Sequence, residues 1–475
     1  MTPPPSQTRA VILAAGLGTR MKSRLPKVLH PICGRPMLAY VIDAAREATG
    51  QRPLVVYSPV TAQICEAFAS EADFALQDEP RGTGDALRAA LQALPDEVDE
   101  VVVLSGDTPL IDAETVNETL ERRRATSAVM ALAPMFAEDP TGYGRLVVSD
   151  GWAERIVEEK DATDEEREIQ LVNAGLYAFE TAWLREAVSR LTPSAASGEL
   201  YLTQLVELAR TDDRPAAVTS PDEPYGDWLL GGVNDRAELQ AAAFYIQQDI
   251  LEDLLLEGVT IQDPSTTLVD ATVEIAQDVT IEPNVILRGR TRIGRDTVIR
   301  AGSQIVDSVV GERCTIWASV VEGSVVGDDV RIGPFSHIRP GCEIAEGAEI
   351  GNFAEMKKVR FGARSKQHHF SYLGDADVGD DVNIGAGTIT ANYDGRKKHR
   401  TVIGDGAFIG SDTILRAPLN VGRKAVTGAG SVVTRDVPDG MLAVGVPARI
   451  RQRRKPEEPH AEAVDPAALR EGGAG

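Results

Sequence analysis

An α/β N-terminal half, one connecting helix, and an all-β C-terminal half coiled as a left-handed parallel β-helix make up the architecture that the sequence predicts. Three observations predict it. Up to about Asp235, short Val/Ile/Leu-rich runs alternate with amphipathic stretches, as strands alternate with covering helices. From Val269 an aliphatic residue recurs every six positions, as Val269, Ile275, Ile281, Leu287, Ile293, Ile299 and Ile305. A six-residue step suits one short strand and one corner, and three such steps close a triangular coil. Between these halves Leu239, Ala242, Ala243, Ile246, Ile250 and Leu254 keep helical spacing. The expected divisions are 1–235, a linker helix 236–258, a β-helix 259–450, and a tail 451–475 expected to be disordered because it is charged, Pro-containing and poor in aromatics.

In chain order, residues 10–15 predict a first strand, 37–49 a helix, 54–57 a strand and 61–70 a further amphipathic segment. Residues 101–104 form a near-continuous apolar run, which suits a parallel strand covered on both faces. Ligands in such sheets sit at the carboxyl ends of strands. The connecting helix is expected over 235–257 and to stop at Gly258. The hexad phase resumes as Val326, Ile332, Ile338, Ile344 and Ile350, and again as Ile403, Ile409, Leu415 and Val421. It breaks over 356–377 and 392–400, two expected loops that hold His368, His369 and His399, half of the six histidines. A segment that leaves the repeat gains nothing in core burial, so such loops are where function is sought first.

Composition excludes several classes. The 475 residues carry a formal charge of -23, which opposes a nucleic-acid footprint because phosphate backbones are bound by Lys and Arg. Four cysteines, at 33, 65, 314 and 342, show neither CxxC pairs nor disulfide density, which points to reduced thiols and the cytoplasm. The apolar run at 10–15 is too short and wrongly flanked for a signal peptide or a spanning helix, so no membrane partner is expected.

The segment LAAGLGTRM at 13–21 puts a glycine-rich turn at the end of the first strand, with LPK at 25–27 close behind. Its amides are suited to cradling phosphate, while Arg20 and Lys27 would neutralise a leaving pyrophosphate. It is neither a P-loop nor a full dinucleotide fingerprint, since Met21 stands at the third glycine's place. Taken alone, it also suits a tight strand-to-helix turn. LSGDTPL at 104–110 places Asp107 at a strand end, where a carboxylate can hold Mg²⁺ or merely cap the next turn. LQDEPRGTGDA (76–86), DPTGYGR (139–145), IVEEKDAT (156–163), NAG (173–175) and GVND (232–235) follow in order.

Together these motifs resemble the nucleoside-diphosphate-sugar pyrophosphorylases. From about residue 8 to 450 the chain is similar to the bifunctional N-acetylglucosamine-1-phosphate uridylyltransferase / glucosamine-1-phosphate N-acetyltransferase family. The resemblance implies a Rossmann-like nucleotidyltransferase domain followed by a β-helix of hexapeptide repeats. It further implies that Gln77, Gly82 and Thr83 read uracil, with Ala14, Ala15 and Gly16 supporting the nucleotide and Arg20 and Lys27 gripping triphosphate. Gly144, Glu158, Asn173 and Thr203 would hold the N-acetylglucosamine phosphate, and Asp107 and Asn234 would ligate Mg²⁺. Three positions depart from the family: Ser105 where an aromatic is frequent, Asp85 where histidine is common, and Gln204 where an acid is common. A carboxylate at Asp85 is expected to point away from the phosphates.

In the C-terminal half, NFAEMKKVRFG (352–362), KQHHFSYLGD (366–375) and TANYDG (390–395) resemble the acetyltransferase half. By that match His369, not His368, is the general base, a role imidazole suits because a protonated amine cannot attack a thioester. Taken alone, a loop histidine also suits a structural hydrogen bond, and Lys357, Lys358 and Arg360 suit a solvated rim. The match assigns Arg339, Lys357 and Tyr372 to the sugar phosphate and Asn383 to the sugar. Asn392 would orient the base or amine beside acetyl-CoA. The amide of Ala386 would hold the oxyanion, and Tyr393, Ser411, Ala429 and Arg449 would meet acetyl-CoA. It implies a homotrimer with sites shared between β-helices, although the hexads equally suit a monomeric solenoid. A zinc centre is discounted, since His337, His369 and His399 show no ligand spacing.

Overall fold

The computed structural model describes residues 7–195, 197–220 and 224–453. The chain divides into two compact units, the first running to Ile250 and the second starting at Leu251.

In the first unit the apolar run at 101–104 becomes the strand Glu100–Ser105, with Val101, Val102 and Leu104 fully buried. Burial of each such side chain contributes about 1.5–3 kcal/mol. Thr8–Leu13 pairs in parallel with Glu100–Ser105 on one side and Leu54–Tyr57 on the other, and Asp73–Leu76 lies beyond Leu54–Tyr57. Leu171–Glu180 runs antiparallel along the far side of Glu100–Ser105. The chain thus builds outward from its first strand in one direction, then returns to insert its next strand on the opposite side. That reversal opens a crevice at the carboxyl ends of Thr8–Leu13 and Glu100–Ser105. Met37–Thr49 and Ala113–Thr126 pack on Ile12, Val102 and Leu104 on one face, while Thr83–Ala93 packs with Val11, Val101 and Val103 on the other.

The amphipathic segment at 61–70 forms a helix only over Gln63–Ala67. Pro59–Thr61 first tighten into a 3₁₀ turn, closed by reciprocal bonds between Ser58 and Thr61, so the α-helix starts late. The connecting helix is Arg236–Leu256. Its first turns bury Ala242 and Ile246 against Ile32, Met37 and Val233. The division between units therefore falls inside this helix and not ahead of it. Gly258, at φ 95°, ends it in a conformation that side chains rarely adopt.

The second unit is a parallel β-helix. Leu268–Val269, Glu274–Ile275 and Thr280–Ile281 each pair with the strand one coil on, respectively Ile286–Arg288, Arg292–Ile293 and Val298–Ile299. Ile281, Leu287, Ile299 and Ile305 point inward with no accessible surface. The small polar residues between them also have work to do. Thr297 Oγ1 donates to the Gly311 carbonyl (2.9 Å) and accepts from the Cys314 amide (3.0 Å), tying one coil to the next.

The first break in the hexads is not a loop. Ala354–Phe361 and Ser371–Val378 are long strands paired in register, and Met356, Phe361, Gln367, Leu373 and Val378 occupy the buried positions. The coil loses a residue between Met356 and Phe361, the strand there runs on unbroken, and a polar Gln367 stands where the pattern calls for an aliphatic. The second break is a true excursion, since Ile389 pairs with Ile414 where a regular step joins Leu268 to Ile286. At the end of the coil Arg449–Arg451 folds back antiparallel on Leu442–Val444, so the expected disorder does not begin at 451. The rest of that expectation, from 454 onward, lies outside the described residues. No described helix is long and apolar enough to cross a membrane.

Candidate functional site

Each unit carries a site. In the first, the glycine-rich turn leaves the first strand with Ala14 N–H donating to the Val56 carbonyl (2.9 Å) and Ser58 Oγ donating to the Ala15 carbonyl (2.9 Å). Ser58 is fully buried and was not singled out in the sequence, because its partner Ala15 lies in a turn distant in the chain. Gly18 is required by packing. At φ 58°, a Cβ there would stand 2.5 Å from Lys27 Cβ, so only glycine lets the lysine stem cross the turn.

That crossing brings Lys27 Nζ to two acceptors at once. It forms an ion pair with Asp107 and donates to Asn234 Oδ1 (3.2 Å). The Val233 amide donates to the Asp107 carbonyl (2.8 Å), and Asn234 Nδ2 donates to the Gly232 carbonyl (2.8 Å), so the GVND and SGD segments hold each other. Two oxygens converging on one cation are the donor type that suits a divalent ion such as Mg²⁺, which commonly takes one or two protein ligands and completes its shell with phosphate and water. Among the described residues no three His, Cys, Asp or Glu side chains gather as a cage of their own.

A cavity of about 300 Å³ beside this point is lined by Arg20, Thr83, Ser105, Asp107, Gly144, Glu158, Asn173, Thr203 and Asn234, among others. It brings together Arg20 and Thr83 with the predicted sugar and metal residues, whereas Lys27, Ala14, Ala15, Gly16, Gln77 and Gly82 do not line it. The strand Leu171–Glu180 slips register between Asn173 and Tyr177, and Gly175, at φ 79°, donates its amide to Asn173 Oδ1 (3.2 Å). This bulge aims Asn173 into the cavity. Glu158 accepts from Thr203 Oγ1 (2.7 Å). Burial pushes its carboxyl above the ordinary glutamate range, against the opposing effect of the Thr203 bond. Gln77 and Asp85 line a neighbouring hollow of about 230 Å³ with Arg81 and Arg88. Asp85 accepts from Gln77 Nε2 (3.0 Å), which is where the extra carboxylate is directed.

In the β-helix, a groove of about 490 Å³ is lined by His368, His369, Asn383, Ala386, Phe408, Ser411 and Ala429, with neighbouring backbone. His368 is tied by its Nε2 to Glu349 (2.9 Å), whereas the His369 carbonyl accepts from Ser371 Oγ (3.2 Å) and no hydrogen bond from a described residue reaches its imidazole. The Ala386 carbonyl accepts from the Asp412 amide (2.6 Å), and its own N–H is unengaged among the described residues. A second group lies along successive strands. Arg339 is in register with Lys357, and Lys357 with Gly374. A Cβ on Gly374 would come within 2.4 Å of the Tyr372 hydroxyl and 2.7 Å of Asn392 Nδ2, which places those two groups over the bare glycine. Asn392 is held by Asp375 (2.5 Å). Lys398 was not singled out in the sequence; its ammonium, with Arg339 and Lys358 adding to the effect, holds the Lys357 ammonium below the usual lysine range. Such like-charge crowding suits an anion.

The excursion itself is closed by Asp394, which accepts from the amides of Arg396 and Lys397 (both 2.8 Å) and from His399 Nε2 (2.6 Å). These bonds hold the Asp394 carboxyl far below its ordinary range, the His399 contact most of all. Tyr393 projects from it, 60% exposed. Arg449 sits on the terminal hairpin opposite Val444 and does not line the groove.

Residues 10–169 match the family model of the MobA-like NTP transferase domain, residues 323–358 that of the bacterial transferase hexapeptide (six repeats), and residues 400–435 that of the hexapeptide repeat of succinyl-transferase. Curated relatives extend over both units. A protein of Rubrobacter xylanophilus is 47% identical over 441 residues, covering 93% of each chain, and is named bifunctional protein GlmU. The same name belongs to a Trichlorobacter lovleyi protein, 44% identical over 92% of this chain and 95% of that one, and to a Listeria monocytogenes protein, 41% identical over 95% and 97%.

Proposed function

Because the chain belongs to the family of bifunctional GlmU proteins, we propose that it makes UDP-N-acetylglucosamine in two steps, transferring acetyl from acetyl-CoA to glucosamine-1-phosphate and then uridylyl from UTP to the product, with release of pyrophosphate. The observation that carries this reading is the coexistence of two differently equipped sites in one chain: the Lys27, Asp107 and Asn234 convergence and the His369 groove.

Acetyl transfer needs a neutral amine, and the untethered His369 is the group that accepts its proton as the nitrogen attacks the thioester carbon. The unengaged N–H of Ala386 donates to the carbonyl oxygen as it becomes an oxyanion. Arg339, Lys357 and Tyr372 hold the sugar phosphate, Asn383 the sugar, and Asn392 the amine. Ser411, Ala429 and Tyr393 lie along acetyl-CoA. Arg449 is the remaining candidate for its phosphates, from the hairpin outside the groove.

Uridylyl transfer needs no protein nucleophile. The phosphate oxygen of N-acetylglucosamine-1-phosphate attacks the α-phosphorus of UTP in line, so positioning and charge neutralisation do most of the work. Ala14, Ala15, Gly16, Gln77, Gly82 and Thr83 seat the nucleotide, and Gly144, Glu158, Asn173 and Thr203 seat the sugar. Arg20 and Lys27 face the departing pyrophosphate. Asp107 and Asn234 would hold Mg²⁺, which would supply neutralisation of the phosphate charge.

The protein works as a cytoplasmic homotrimer. Four cysteines that form no disulfide, together with nucleotide and CoA substrates, support the compartment. The exposed Phe370 and Phe408 beside the groove support coverage by a second β-helix.

The test incubates the protein with glucosamine-1-phosphate, acetyl-CoA, UTP and Mg²⁺ and follows free thiol and pyrophosphate together. The expected result is release of both, with pyrophosphate dependent on acetyl-CoA. Pyrophosphate only when N-acetylglucosamine-1-phosphate is supplied would reduce the β-helix to a scaffold.

A further inference from the structure

We infer that Asp85 sets the nucleobase selectivity of the uridylyl site by locking the side-chain amide of Gln77, so that only a hydrogen-bond acceptor faces the base. The inference deepens the reading above and rests on Gln77 lying at the base.

Gln77 ends the strand-side approach to the site, with its backbone fixed by an amide bond to the Tyr57 carbonyl (2.8 Å), and the residue is 4% exposed. Its Nε2 donates to the Gly82 carbonyl (3.1 Å) and to Asp85 Oδ2 (3.0 Å). A carboxamide has two N–H donors, and both are used here. No hydrogen bond from a described residue reaches the amide oxygen, which remains to receive a donor from outside.

The orientation follows from the partners and not from the placement of nitrogen over oxygen. A carbonyl and a carboxylate are both acceptors, so rotating the amide by half a turn would set its oxygen against two lone-pair groups and forfeit both bonds. The Gly82 carbonyl cannot yield, because its turn is strapped to Leu200. The Leu200 amide donates to the Arg81 carbonyl, the Gly84 amide donates to the Leu200 carbonyl (both 2.8 Å), and a Cβ on Gly82 would meet the Leu200 carbonyl at 2.4 Å.

A fixed acceptor distinguishes the pyrimidines. Uracil presents an N3–H donor, whereas N3 of cytosine is an acceptor, so the locked oxygen attracts one and repels the other. An amide free to turn would accommodate either. With a histidine at this position, the residue common in the resembling family, the partner could donate as well as accept, and the lock would be lost.

The experiment measures kcat/KM for UTP and for CTP, each with N-acetylglucosamine-1-phosphate and Mg²⁺, in the full chain and in Asp85→Ala, Asp85→Asn and Gln77→Ala. Asp85→Ala is expected to lower the UTP-to-CTP ratio about tenfold, chiefly through KM, the size of one lost hydrogen bond plus the freed amide. Asp85→Asn is expected to retain most of the ratio, because its side-chain carbonyl still accepts from Gln77. Damage to the helix that starts at Thr83 would lower both substrates together and leave the ratio alone, so the ratio isolates positioning from folding. An unchanged ratio in Asp85→Ala, with a lowered one in Gln77→Ala, would overturn the lock and keep Gln77 at the base. An unchanged ratio in Gln77→Ala would overturn the base contact itself.

Discussion

Glu158 shows how one side chain ties stability to binding. Burial raises its carboxyl, so the folded protein holds the proton at pH values where an unfolded chain, titrating near the usual ~4.3, has released it. At low pH both states carry the proton, so no charge is buried. As pH rises through the raised folded value that advantage is lost, and at neutral pH the buried carboxylate lowers stability. Glu158→Gln is therefore expected to gain thermal stability relative to the parent as pH rises from about 4 to 7.5, while its KM for N-acetylglucosamine-1-phosphate increases. Thermal unfolding of both proteins across that range, without nucleotide, checks the sign; a difference that shrinks with rising pH would contradict it. Glu158 was legible in the sequence through its motif, as were Asp107 and Asn234. Ser58 and Lys398 were not, because each acts through a neighbour distant in the chain and neither residue type announces that neighbour.

At the scale of elements, the hexads gave the coil and its inward residues, yet the strand Ala354–Phe361 was expected as a loop. The reason is local. A residue dropped between Met356 and Phe361 shifts the phase, and Gln367 puts an amide where periodicity requires an aliphatic, so a sequence pattern ends where the structure continues. What the continuing strands achieve is alignment: Arg339, Lys357 and Gly374 fall in register on consecutive coils, and the missing side chain at Gly374 makes room for Tyr372 and Asn392. Gly374→Ala is expected to leave the β-helix folded, because Leu373 and Ala376 still fill the interior. It should raise KM for glucosamine-1-phosphate about tenfold or more by displacing the Tyr372 hydroxyl or the Asn392 amide, and leave uridylyl transfer intact. Steady-state thiol release against glucosamine-1-phosphate measures this, and an unaltered KM would remove Tyr372 and Asn392 from the sugar site.

For the whole molecule, the sequence predicted two halves from two periodicities, and the structure places the division within the connecting helix because the first turns of that helix bury Ala242 and Ile246 in the N-terminal unit. Each unit has its own core, and the proposed reactive side chains of each lie within it. His369 is exposed at a corner of the coil, its ring standing edge-on to that of His368 with 6.5 Å between centroids, so removing its imidazole takes nothing from the buried core. His369→Ala is expected to cut acetyl transfer by about 100- to 10,000-fold, the usual loss of a general base, and to leave pyrophosphate release from UTP and N-acetylglucosamine-1-phosphate at the parent rate. Asp107→Ala should do the reverse, since it frees Lys27 from its ion pair and removes one of the two oxygens proposed for Mg²⁺, while every residue of the groove is untouched. The informative measurement is the pair of activities in each variant under one condition. Opposite losses would mean that two chemistries share a chain without sharing a site. Parallel losses in folded protein would mean that the units are coupled, and the independent assignment of His369 and Asp107 would fall with them.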